Sequence, residues 1–402
     1  FLVIFLFLIF VSIFIIFTPR FFVKFFIVFH VVLDVALFIG FLCVKHFLLF
    51  AYFFVMLAFG FFHWISARYS YEYGASILKA GVQPFIKVFG GLMVSVWAVT
   101  IGSFLTVMFD YIFAYGSVHW ASYAFLVYLF VSFFWVALTF QNLFYMLCSH
   151  YATQWYFLSG TDYDASVEFL HQAKRDIVYN FGSCAYHAFM TPLLVVFESI
   201  CRFDPAEMPR FMSCCGDRFG SFTMKVIHGI QWPFLKLSAT MDMGLSCLRR
   251  QGLVYSATYG VPVSEGSLRW AEVASIRYTN VLDEYNTAKK SFTLLVANFT
   301  VFLTVLGYYM IYNQESTKTY ILYGILGRMT RGVATFFLAF MTFRMLTSLI
   351  EGVMDGIIVG FSEFPERLKL LDSQLYHDVY QMYVDSIRRK QENQRQRDTV
   401  FD

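Results

Sequence analysis

Apolar runs fill most of this chain, and polar residues interrupt them at intervals. Nine runs predict membrane-spanning helices, at about 1–17, 22–44, 47–65, 84–108, 121–148, 177–201, 221–246, 291–313 and 321–361. A helix crosses the hydrocarbon in about 20 apolar residues, whereas a barrel strand needs only about 9–11 in alternation. The pattern therefore predicts an all-α polytopic transmembrane helix bundle over residues 1–361. The seventh run carries Lys225, Lys236 and Asp242, so it reads as a shielded or partly interfacial helix. The ninth run is longer than a bilayer is thick, which requires it to tilt, kink at a glycine or project out.

The polar stretches between the runs have their own pattern. SARYSYEYGASILKAGVQ (66–83) predicts an amphipathic interfacial helix, with Tyr and Lys at headgroup depth. Residues 159–176 predict a second surface helix, and 249–290 are polar with helical spacing. The last stretch, 362–402, ends in SIRRKQENQRQRD and predicts a charged cytoplasmic tail helix. Lys and Arg concentrate around Arg20 and in 66–83, 151–176, 202–220, 249–290 and 362–402, while 45–46, 109–120 and 314–320 hold few. The positive-inside rule then places the basic side and the C-terminus in the cytoplasm. With nine spans, the first residue falls outside, so an earlier span is expected upstream. FLVIFLFLIF has no basic n-region or cleavage site and reads as a membrane helix rather than a signal peptide.

Composition agrees with the pattern. The chain is 58% hydrophobic and 14% charged, against about 25% charged in soluble domains. This is a multi-pass integral membrane protein of the plasma membrane or an organelle membrane, with lipids as neighbours. A net charge of +3 gives no footprint for nucleic acid. The seven cysteines show neither a CxxC pair nor zinc spacing, so no metal or cofactor is expected. HExxH, GxSxG and P-loop motifs are absent, which argues against an enzyme.

Two helices carry candidate chemistry. In YLFVSFFWVALTFQNLFY, residues 128–145, the side chains of Tyr128, Ser132, Trp135, Thr139 and Asn142 fall within about 80° of one another at 100° per residue. Gln141 and Tyr145, one turn apart, lie on another face. Such a stripe is either helix–helix glue or the lining of a cavity. As a lining, its aromatic faces would attract a quaternary ammonium by cation–π contact, worth about 2 kcal/mol or more when desolvated. In the last run, Arg344, Ser348, Glu351 and Asp355 share one helical face. Ionisable groups in a membrane pair with each other or line a path. The set is either a structural lock, with Arg344 paired to a carboxylate, or a gate at a cytoplasmic exit. Asp34 and Glu198 are further intramembrane acids that can snorkel from a helix end.

From about residue 55 onward the order of these pieces resembles the choline transporter-like family. ARYSYEYGASILKAGVQPF resembles the family's amphipathic helix, and VWAVTIGSF, with Trp97, its Y-W-A-V-T stretch. FFWVALTFQNLFYMLCSHYATQWYF is similar to its F-W…A-x-x-Q…Y-Y-W/F pattern, matched at Trp135, Gln141 and Tyr151. VYNFGSCAYHAF resembles R-Y-H-x-G-S-x-A-x-G, and LVYSATYG resembles N-A-Y-x-x-x-A-I. LTSLIEGVMDGIIVGFSE resembles S-x-Y-E-x-V-V-D, matched at Glu351 and Asp355, and SQLYHDVYQMYVDSIRRK resembles the family's tail helix. The resemblance implies facilitated or exchange transport of choline or a related quaternary or primary amine such as ethanolamine. Trp135 would then be the main cation–π face, with Trp97 and Tyr128 as partners and Asn142 or Gln141 orienting the hydroxyl end. Glu351, Asp355 and Arg344 would shape the exit. Departures such as V-Y-N for R-Y-H motivate a second reading, a non-transporting structural subunit of a larger membrane complex that keeps the fold.

Overall fold

The computed structural model describes residues 19–43, most of 51–61, several positions between 77 and 102, 121–158, 161, 165–201, 249–273, 296–305 except 299, 321–371 and a few positions from 373 to 388. Among these the regular structure is helical and contains no strand. The helices are α1 (Pro19–Cys43), α2 (Ala121–Leu158), α3 (Ala165–Cys201), α4 (Gly252–Tyr259), α5 (Val263–Val273), α6 (Ile321–Glu363) and α7 (Pro365–Leu371). Shorter apolar helical stretches lie at 90–102 and 296–305. The expected spans at 1–17 and 221–246 lie outside the described residues.

Among the described residues two segments are long and apolar enough to cross a membrane, Val131–Leu158 with mean hydropathy 1.5 and Ala339–Glu363 with 1.4. Both belong to longer helices. The predicted span 121–148 continues without a break to Leu158, because no glycine or proline interrupts it. Residues 165–176, expected to be part of a separate surface helix, join 177–201 in one helix of 37 residues. Nothing between them breaks the backbone hydrogen bonding, and Pro192 is accommodated inside the helix.

α2 lies along α6 for much of its length and along α3 on another side. The reason is written in α6 as GVMDGIIVG. Gly352, Gly356 and Gly360 recur every four residues and so share one face. A Cβ on Gly352 would strike the carbonyl oxygen of Tyr145, and one on Gly356 that of Ser149. A Cβ on Gly360 would come within 2.6 Å of the Tyr156 ring. The two backbones therefore touch. Thr153 uses the closeness, donating its hydroxyl to Gly356 O at 3.1 Å. Tyr156 likewise donates to Phe364 O at 2.9 Å. Towards the other end rings fill the contact, with Phe133 and Phe134 packed edge-on against Phe337. The glycines of the ninth run thus serve as a packing seam, and α6 runs unbroken through them.

Around this pair the amphipathic pieces bury their apolar faces. Ile77 and Leu78 are buried while Lys79 is exposed, and a Cβ on Gly81 would meet Val353 of α6. α4 and α5 form a tight helical hairpin, turned by Gly260 at φ 70°, a left-handed conformation natural to glycine. Gly266 lets the hairpin close, since its Cβ would lie 2.8 Å from Gly252 O. Leu253, Val254 and Trp270 fill its core side.

Candidate functional site

The stripe on α2 runs against α3. Trp135 donates its indole N–H to Ala185 O at 2.9 Å and packs edge-on to Phe189. Asn142, two turns on, is buried; its amide lies 3.4 Å from Cys184 O and 3.2 Å from His187 Nδ1. Thr191 flanks the same imidazole at 3.3 Å. Ser132 and Thr139 donate instead to carbonyls of their own helix, Tyr128 O and Trp135 O. That is a local solution open to any Ser or Thr in a helix. The stripe is open at one end and closed at the other: Tyr128 is 66% exposed, Trp135 44% and Asn142 only 6%. Trp97 lies outside the described residues.

The other face of α2 carries the denser chemistry. Gln141 is buried, and its Oε1 has no hydrogen-bond donor among the described residues. One turn later, Tyr145 is wholly buried and donates its hydroxyl to Asp355 Oδ2 at 2.6 Å. The guanidinium of Arg250 lies over the Tyr145 ring, its Cζ 4.0 Å from the ring centre. Arg250 also donates through Nη1 to Glu351 Oε2 in a mostly buried ion pair. Its Nε and Nη2 are buried without hydrogen-bond partners among the described residues. Tyr145, Asp355, Glu351 and Arg250 therefore form one connected cluster between α2, α6 and the turn before α4.

Glu351 thus has Arg250 as its direct partner; the lock read from the sequence paired Arg344 with a carboxylate it did not name, and Arg250 was not part of it. Arg344 stands two turns before Glu351 on the same helix, while the 249–251 turn brings Arg250 to that carboxylate from the side. Arg250 sits in a polar segment that periodicity marks only as a surface helix. The signal available in the sequence was a cation immediately before an apolar helix start, and it is weak.

The α4–α5 hairpin fixes that cation. Ser267 of α5 donates to Arg249 O at 3.0 Å, holding the turn. Ser256 of α4 donates to Asn180 of α3 at 3.1 Å. Tyr255 donates to Glu363 at the end of α6 at 2.8 Å. Burial, followed by the facing Glu363 carboxylate, holds the Tyr255 phenol far above its usual value, so it remains a donor.

Two further polar pairs are buried. His150 Nδ1 meets Asp176 Oδ2 at 2.5 Å, and its Nε2 meets Gln154 at 2.8 Å, tying α2 to α3. Asp34, a candidate for snorkelling, is instead fully buried and accepts from Asn298 at 2.5 Å. The side chain of Glu198 lies outside the described residues.

Comparison with known proteins adds one match. The model of a family described as plasma-membrane choline transporter matches residues 1–366. No curated protein sequence matches the chain.

Proposed function

The chain belongs to the plasma-membrane choline transporter family, and from that premise we propose that it moves choline or a related amine by facilitated or exchange transport through an aromatic-lined path. The family match over residues 1–366 carries this reading. The work is transport rather than catalysis, and the cargo is a small organic cation. A trimethylammonium group offers no N–H, so a tight salt bridge cannot define it. Aromatic faces and diffuse negative potential can.

In this proposal the half-exposed Trp135, with Tyr128 two turns away and Trp97, provides the aromatic approach. Its N–H is engaged by Ala185 O, which holds the ring in one orientation. Gln141 lies on another face of α2 from Trp135, so in this reading it meets the substrate hydroxyl further along the path, one turn from Tyr145. Its buried Oε1 wants a donor, and the choline hydroxyl is one. Asn142 is already engaged with α3, so Gln141 is the better candidate of the two. Glu351, Asp355 and Arg344 lie on α6 further along and shape the exit. The proposal keeps nine spans within 1–361, a multi-pass topology, and residues 362–402 as a cytoplasmic tail.

The test is uptake of labelled choline into proteoliposomes. Wild type is expected to accumulate it, and Trp135→Ala to do so at least about tenfold less efficiently, the factor that 1.4 kcal/mol represents. Equal uptake by the variant removes Trp135 from the site. A folded wild type that takes up no quaternary amine, and that copurifies in fixed ratio with a larger complex, favours the structural-subunit reading.

A further inference from the structure

We propose that Arg250 is a tethered cation seated in a cation site made by Tyr145, Glu351 and Asp355, and that the transported cation competes with it for that site. The inference deepens the transport reading and rests on it.

The geometry is that of a cation cage. One aromatic face lies under the charge at 4.0 Å. One carboxylate, Glu351, pairs with it directly. A second, Asp355, is bridged to the ring through the Tyr145 hydroxyl at 2.6 Å, which puts electron density into the ring the cation rests on. An aromatic face with nearby carboxylates recognises quaternary ammonium and guanidinium alike, because both are diffuse, weakly hydrated cations. Gln141, with its orphaned acceptor, stands one turn from Tyr145 on the same side of α2. A hydroxyl-bearing cation held on Tyr145 would have its acceptor within the same region.

Arg250 fits this cage incompletely. Its Nε and Nη2 are buried without hydrogen-bond partners among the described residues. Each such group carries a desolvation cost that offsets part of what the ion pair and ring contact contribute. A seated guanidinium with unmet donors can be displaced by a cation that has none. Displacement is a side-chain movement. The backbone beside it is fixed, since Ser267 holds Arg249 O and a Cβ on Gly252 would lie 2.7 Å from Val263 O. Once the guanidinium leaves, the Tyr145 ring and the Glu351 carboxylate are open to the transported cation.

The experiment uses the full chain in proteoliposomes, assayed in parallel for choline uptake, with the arginine reagent phenylglyoxal read residue by residue by mass spectrometry. Arg175, whose side chain is 55% exposed, is the internal reference. Saturating choline is expected to raise modification of Arg250 several-fold and leave Arg175 unchanged. Tetramethylammonium should do the same, and sodium chloride of equal ionic strength should not. A preparation that transports choline, yet shows Arg250 modification unchanged or reduced, overturns the proposal while sparing the transport reading. A preparation that transports no choline counts against the transport reading, and the tetramethylammonium arm then decides the cage by itself. As a second measurement, Arg250→Gln should lower the choline concentration for half-maximal uptake several-fold, because the competitor is gone. An unchanged or raised value argues against competition. Should R250Q not fold, the wild-type labelling decides between the two outcomes by itself.

Discussion

Single residues on α2 divide the work between two faces. Trp135 and Asn142 spend their polar groups on α3 carbonyls, while Gln141 and Tyr145 look elsewhere. Gln141 gives the sharpest residue-level expectation. If its Oε1 accepts the substrate hydroxyl, Gln141→Leu removes one hydrogen bond of about 1 kcal/mol, roughly a fivefold rise in the choline concentration for half-maximal transport. Tetramethylammonium, which has no hydroxyl, should be unaffected. Equal losses for both cations would place Gln141 outside the hydroxyl site. Trp135 and Gln141 were both visible in the sequence, and helical geometry already put them on different faces. Their surroundings were not visible, because an angle on one helix says nothing about which neighbour stands there.

At the scale of helices, the α2–α6 seam sets everything near it. Gly352→Ala and Gly356→Ala should each cost roughly 1–3 kcal/mol, since the added methyl meets backbone that cannot retreat without parting the helices. Gly182 on α3 is the control. A Cβ there meets nothing within 4 Å, so Gly182→Ala should be neutral or stabilising by up to about 1 kcal/mol. Thermal unfolding of the purified variants in detergent checks both signs, and a stabilised Gly352→Ala would show that the helices do not touch there. The length of the ninth run suggested a tilt, a kink at a glycine or a projection, and the repeat G-x-x-x-G-x-x-x-G within it was not read as a packing signal. Length alone cannot separate a kink from a packing seam. The partner backbone at Tyr145 and Ser149 does so. The α4–α5 hairpin was less legible still. Its helices are short and polar, and what pins them is Tyr255, Ser256 and Ser267, each reaching a different neighbour.

For the whole molecule, the family match reaches residue 1, so it takes in the first 54 residues as well as the stretch from about 55 where the resemblance was read. The expected topology follows from the distribution of Lys and Arg. Tags placed at residue 402 and in the 249–290 segment should be reached by antibody only after cells are permeabilised, while one in 314–320 should be reached without it. Accessibility of the C-terminal tag on intact cells would reverse the orientation. Hydropathy, periodicity and motif order determined that this is a helical membrane protein of a transporter family, because burial in lipid forces long apolar helices and leaves that demand in every residue. They also placed Glu351 and Asp355 on one face. Only the tertiary structure decided that Glu351 pairs with Arg250, that Asp355 takes the Tyr145 hydroxyl, and that the two meet over one ring. Those pairings join residues 101 and 210 positions apart. Helix packing selects such partners by shape and charge in three dimensions, and no local pattern along the chain records the choice.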